Sequence, residues 1–324
     1  MKRTLAVLLL SAAVASAEEK KLLVSSAFAD PSLVAPVVRL DVDRGDGTSY
    51  AVGLSGWTID GEWARRLTES RALRLTLDAT PLNAHNSNLI YVNGTRAEEL
   101  EYENASYRAR GGMRFAHGSR ATTDVLLVAL YENVSNVPSA VARRWDSPYA
   151  GVEVAHTYSI VNAREPLVGA FDGIELAARG EVFSGDENWS RVMLVEQAGR
   201  NIGRFHLRQS LSIMTGSSLD MVNRFVVGGS WDALGGTAVY GTRYGELRLG
   251  RAVIASGGAD VRLPRQWRVG IRGSYVDGDD DSTYGHALNA SKIWKTIGAN
   301  FGVGISEDSD ATFYAALIVP LYQK

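Results

Sequence analysis

Cysteine is absent from all 324 residues. The chain therefore has no disulfide framework, no thiolate zinc site, no thiol nucleophile and no lipidated-cysteine anchor. Proline is scarce at 8 while glycine reaches 33, a balance that favours extended structure over linkers or disorder. Neither sign of charge dominates, because 34 Lys+Arg face 36 Asp+Glu for a net charge of -2. No basic field marks nucleic acid as a partner. No stretch beyond the N-terminus approaches the ~18 uninterrupted apolar residues of a membrane helix, which excludes a helical membrane protein. Overall hydrophobicity is nevertheless ordinary, at 45%.

The first seventeen residues read as a secretory signal peptide. Lys2 and Arg3 precede a short apolar core, Leu5 to Leu10, and Ala15-Ser16-Ala17 supplies a small-x-small cleavage pattern. The apolar run is too short to span a bilayer. The expected organisation is a signal peptide over 1–17, a short periplasmic segment over 18–32, and one β-domain over 33–324.

From about Leu33 onward the dominant signal is alternation with a period of two. Leu73, Leu75, Leu77 and Ala79 alternate with Arg74, Thr76, Asp78 and Thr80. Val152 and Val154 alternate with Glu153 and Ala155, and Ile174, Leu176 and Val182 with Glu175, Arg179 and Glu181. Phe205, Leu207, Leu211 and Ile213 alternate with His206, Arg208, Ser210 and Ser212. Trp267, Val269, Ile271 and Tyr275 alternate with Arg268, Gly270, Arg272 and Ser274.

These segments suit the ~9–11-residue strands that cross a bilayer at a tilt. About sixteen are predicted: 33–43, 48–57, 58–68, 71–80, 95–107, 110–118, 120–131, 149–161, 171–183, 188–197, 203–214, 249–263, 267–277, 285–294, 297–306 and 312–322. A soluble sandwich of this size would leave long edge strands, and a β-helix would show a short repeat that is missing. The expected fold is therefore all-β, a transmembrane antiparallel β-barrel in a bacterial outer membrane. Its apolar face meets lipid and lipopolysaccharide, while Glu175, Arg179, Glu181, Arg208 and Arg272 line a wet lumen. Long connections at 132–148 and 215–248 fall outside. The 81–94 connection is long on the wrong side.

A more specific pattern occupies 225–278. Phe225-Val226-Val227-Gly228-Gly229 is followed by Leu234-Gly235-Gly236-Thr237 and Gly245-Glu246-Leu247. Then come Ala259-Asp260-Val261-Arg262-Leu263-Pro264 and Tyr275-Val276-Asp277-Gly278, with Asp146-Ser147-Pro148 upstream. This succession resembles the C-terminal barrel of the BamA/TamA superfamily, the bacterial surface antigen family. The resemblance implies a transport or assembly component that works with a periplasmic or lipid-anchored protein partner. It also implies a latch, in which an external loop folds into the lumen and its arginine pairs with an aspartate on the wall.

Here only Gly236 of the loop motif core is kept, so Arg243 is the candidate replacement arginine and Asp277 its partner. The resemblance points Tyr275 and Asp277 inward, whereas alternation points them outward, and only a bulge reconciles the two. About fifteen residues separate Ala17 from the first predicted strand, which leaves no room for a POTRA domain. The expectation is a barrel-only member.

Catalytic and metal chemistry is weakly represented. The five histidines fall at no metal-ligand spacing, no Gly-x-Ser-x-Gly elbow occurs, and no cofactor is expected. His206 with Ser210 or Ser212 is the best pair for a lipid hydrolase, but nothing supplies an oxyanion hole. Asp277 to Asp281 begins like a calcium loop and fails where glycine and glutamate are required. The alternatives to a transport or assembly barrel are a passive porin and, behind it, an outer-membrane lipid hydrolase.

Overall fold

The computed structural model describes residues 19–29, 33–55, 58–80, 91–92, 95–97, 101–135, 145–165, 170–220, 222–228, 238–242, 246–279, 282–295, 297–307 and 311–323. The predicted signal peptide lies outside them. Twenty strands follow in chain order: β1 (Glu19–Ala29), β2 (Leu33–Asp43), β3 (Thr48–Ser55), β4 (Thr58–Thr68), β5 (Arg71–Thr80), β6 (Tyr91–Val92), β7 (Thr95–Arg96), β8 (Glu103–His117), β9 (Ala121–Ser135) and β10 (Trp145–Glu165). The rest are β11 (Ala170–Ser184), β12 (Trp189–Ile202), β13 (Phe205–Ser217), β14 (Phe225–Val227), β15 (Leu247–Leu249), β16 (Arg251–Leu263), β17 (Trp267–Gly278), β18 (Ser282–Trp294), β19 (Ile297–Ser306) and β20 (Thr312–Gln323).

Sixteen of them close into one antiparallel barrel, and β6–β7 and β14–β15 form two small hairpins in the connections. Closure is made by β1 against β20, in register from Lys21↔Gln323 to Ala29↔Tyr314 with one irregularity at Leu22/Leu23. A closed barrel satisfies every strand's backbone groups without an edge, the condition for exposure to hydrocarbon.

The expected barrel and its strand number hold, but the strands are not all those predicted. Glu19–Ala29, expected to be a periplasmic segment before the barrel, is its first strand. The predicted strands 95–107 and 110–118 are largely one, β8. The two errors cancel in the total. They also explain the misplaced connection at 81–94. With β1 counted and β8 undivided, the 81–102, 136–144 and 218–250 connections all leave the same end of the barrel. Among the described residues, the opposite end carries short turns of two to four residues, among them 44–47, 118–120, 203–204 and 264–266. This asymmetry is that of outer-membrane barrels, long loops outside and short turns in the periplasm.

Burial runs opposite to that of a water-soluble fold. Outward-facing leucines, valines and isoleucines are exposed, Leu127 to 71%. Inward-facing Glu153, Glu181, Asp260, Arg268 and Arg272 are buried. The alternation read from β5, β10, β11, β13 and β17 falls on the faces expected.

Candidate functional site: a charged lumen with an inserted segment

Two ionic clusters line the inner wall. On one side Glu181 of β11, only 2% exposed, accepts from Arg108 Nη1 of β8 at 3.0 Å, Arg179 Nη2 at 2.6 Å and Arg191 Nε of β12 at 2.5 Å. Arg179 also donates to Glu153 of β10 at 2.7 Å, and Arg110 reaches both Glu153 and Asp78. The chain of charges continues through Asp124, which is held by Arg114 at 2.8 Å and by Arg74, itself paired to Glu62 at 2.9 Å. On the other side Arg272 of β17 donates to both oxygens of Asp260 on β16, at 2.8 and 3.0 Å, with Arg208 of β13 at 3.4 Å. Arg262 and Arg268 share Glu165. Glu175 pairs with Arg164 and accepts from Ser159 Oγ at 3.1 Å. Strand pleating places these groups on one face, and neighbouring strands bring acid and base to the same height. Removing one partner of such a buried pair leaves an uncompensated charge.

The long connection between β13 and β16 enters this lumen. Its first part turns on Asp220, whose Oδ1 accepts from the Val222 and Asn223 amides at 2.8 and 2.9 Å. Asn223 Nδ2 then reaches Glu132 on the wall at 3.4 Å, and Arg191 Nη1 donates to the Asn223 carbonyl at 3.2 Å. Arg191 thus ties the inserted segment to the Glu181 cluster. The β14–β15 hairpin follows, with Phe225, Val227 and Leu249 packed against wall residues Met214, Ala252, Ile254 and Val276 and against Val239. Arg248 of β15 donates to Tyr102 Oη at 3.0 Å, bridging to the other long connection. Burial raises the Tyr102 phenol above its ordinary pKa, so it stays protonated. Between wall and segment lies a cavity of about 430 Å³ lined by Arg179, Glu181, Arg191, Met193, Met214, Arg224 and Phe225.

The deepest contact is made by residues 238–242. Val239 and Tyr240 are 0% and 1% exposed. The Tyr240 amide donates to Ser274 Oγ of β17 at 2.8 Å, and Thr242 Oγ1 closes the turn onto the Val239 carbonyl at 2.8 Å. Two glycines permit the approach. Gly241 has φ 82°, a left-handed conformation, and a β-carbon there would collide with the β19 backbone at Ile305. A β-carbon on Gly285 of β18 would collide with the Tyr240 carbonyl oxygen. Backbone is thus seated directly on backbone.

The expected lumen residues Glu175, Arg179, Glu181, Arg208 and Arg272 all face inward, in the two clusters above. Of the expected latch residues, only Asp277 is among the described ones. Gly236 and Arg243 lie outside the described residues. Asp277 is exposed on the outward face with Tyr275, because β17 keeps its alternation and has no bulge in its pairing with β16. A carboxylate on that side of the wall cannot meet a lumenal arginine. The groups that hold the inserted segment are instead Ser274, Gly241 and Gly285. Ser274 was visible as an inward position of β17, but nothing in one sequence marked it as a docking group. His206 is buried against Asn201 Oδ1 at 3.1 Å and Ser210 pairs with Ser256 at 3.0 Å, so the hydrolase pair is spent on separate partners. Asp279 of the acidic run accepts from the Gly250 and Arg251 amides and anchors the start of β16.

No protein-family model matches the sequence, and no curated protein matches it. Solved structures do. BamA from Haemophilus ducreyi lacking POTRA domains 1-3 superposes with a TM-score of 0.70 at 10% identity, over 92% of this chain and 70% of that one. CdiB from Escherichia coli gives 0.57 at 11% identity over 93% and 63%, and CdiB from Acinetobacter baumannii 0.55 at 11% over 93% and 60%. The chain thus spans under two thirds of either CdiB. At such identities the likeness is one of fold: this chain has an outer-membrane β-barrel fold similar to the barrels of BamA and CdiB.

Proposed function

We propose that the protein is a gated transport or assembly barrel of the outer membrane, closed at rest by its own inserted segment and acting with a partner protein. The observation that carries this reading is the seating of residues 238–242 on the inner wall, backbone against backbone at Gly285. An open pore has no need of a buried valine and tyrosine in its lumen. The hydrogen bond from Arg191 to the Asn223 carbonyl gives the segment a second attachment, to the Glu181 cluster. Together they form an element with two discrete positions, docked and released, which a partner or substrate biases by binding one of them better. The resemblance over 225–278 and the fold likeness to BamA and CdiB support the same reading.

Planar-bilayer conductance tests it. The wild-type protein is expected to give closed or briefly flickering channels. Gly285→Ala, which places a methyl where the Tyr240 carbonyl sits, is expected to give long, large openings. Steady large openings of the wild type would instead assign the passive porin.

A further inference from the structure

Toward its short-turn end, the outer wall between β16 and β20 carries a charge set among apolar residues. Reading across the strands, Ala259, Ile271, Leu288, Val303 and Phe313 form one outward row of directly paired residues. The next row toward the short-turn end is Val261, Val269, Ala290, Phe301 and Ala315. The row after that is Leu263, Trp267, Lys292, Ala299 and Leu317. Lys292 is therefore the first charge met on leaving the hydrocarbon band, about 10 Å of strand above the turn at Lys295.

It is not a free surface lysine. Only 9% exposed, it has its ammonium 5.4 Å from the Trp267 ring and 6.0 Å from the Trp294 ring, with the small Ala299 beside it. The two indoles are themselves open to the membrane, 38% and 47% exposed. Aromatic faces stabilise the cation but accept no strong hydrogen bond from it. The stretches that flank it on its own and the two neighbouring strands, 261–270 and 288–302, contain no aspartate or glutamate. Arg265 and Lys295, both exposed in the adjoining turns, add positive charge below.

We propose that this patch binds the phosphate of a membrane phospholipid, with Lys292 donating to it between the two tryptophans. Arg265 and Lys295 attract the headgroup from the rim, and the acyl chains lie along the apolar rows over Ala290 and Ala299. The level fits, since tryptophan and snorkelling lysine meet headgroups at the interface of the leaflet facing the short turns. A lipid source is favoured over free phosphate because the site opens sideways onto hydrocarbon. The proposal concerns the outer wall and is independent of whether the lumen is gated.

Native mass spectrometry of the delipidated full chain in non-ionic detergent, with dioleoyl phosphatidylglycerol added, is the test. The wild type is expected to retain a lipid adduct, Lys292→Arg to keep it, and Lys292→Ala to lose roughly tenfold in retention. Trp294→Leu, an exposed position that leaves the charge in place, is expected to weaken retention severalfold and serves if Lys292→Ala does not fold. Equal retention by wild type and the folded variants would overturn the site. Equal retention of dioleoylglycerol, which lacks the phosphate, would do the same, as would displacement of the lipid by inorganic phosphate.

Discussion

Glu181 shows how much one side chain does in a wet lumen. Three guanidinium groups, Arg108, Arg179 and Arg191, converge on its two oxygens. Arg191 passes the constraint on to the inserted segment through the Asn223 carbonyl. Replacing Glu181 by glutamine keeps the shape and removes the charge that holds the arginines together. Breaking a buried ion pair at one partner costs about 3 kcal/mol. Glu181→Gln is therefore expected to lower the temperature at which the barrel loses its compact, fast-migrating form on unheated gels, and to expose the 218–228 segment to protease. Unchanged migration and protection would show that the arginines find water or other acids at no cost.

The charge of Glu181 and its inward direction were both legible in the sequence, because a period of two fixes which residues share a face. Arg179, two residues away on the same face of β11, was legible with it, but Arg108 and Arg191 were not, since they come from β8 and β12 and depend on strand register. Asp277 shows the converse. The motif resemblance argued for an inward aspartate and the plain alternation of β17 for an outward one. Uninterrupted pairing of β16 with β17 decides for alternation.

At the scale of the element, the strands the sequence concealed were those whose alternation is blurred. β1 reads Glu-Lys-Lys-Leu-Leu-Val-Ser-Ser-Ala-Phe-Ala, where three successive apolar residues follow three charged ones. No period of two stands out, and the segment adjoins a signal peptide. In β8, the break expected at Arg108-Ala109 falls inside one continuous strand that also carries Gly111-Gly112. Gly112 is needed there because a β-carbon would meet the Val125 carbonyl oxygen of β9. The pairing of β1 is what closes the barrel, and it can be tested directly in a protein with no native thiols. Ala27 lies opposite Ala316 in the β1–β20 register. Directly opposed residues of antiparallel strands lie within the Cα separation a disulfide bridges. The double variant Ala27→Cys, Ala316→Cys is expected to cross-link under oxidation, seen as an altered denatured mobility that thiol reverses. Ala27→Cys with Gly304→Cys, out of register, is expected to give no link. Were residues 18–32 a periplasmic segment, as the sequence alone implies, neither pair would close.

For the whole molecule, ordinary hydrophobicity and an inverted surface are the same fact. Alternate residues face lipid and lumen, so the composition averages to that of a water-soluble protein while the two faces differ completely. This also sets what substitutions cost. Ile271 and Leu288 are adjacent, outward and exposed, in the middle of the apolar rows. Arginine in the middle of a barrel's lipid face costs about 2–4 kcal/mol, falling toward zero near the interfaces. Ser256 is a half-buried inward position beside Ser210, where an added guanidinium meets water and neighbouring polar groups. Ile271→Arg is therefore expected to lower the denaturant midpoint for refolding into vesicles by an amount equivalent to ~2–4 kcal/mol. Ser256→Arg is expected to change it little and to alter channel conductance or ion selectivity instead. A water-soluble β-sandwich predicts the opposite ranking, because exposed Ile271 would then tolerate arginine and the buried side would not. The pair of variants thus tests the sidedness on which both the gated lumen and the lipid site on the outer wall depend.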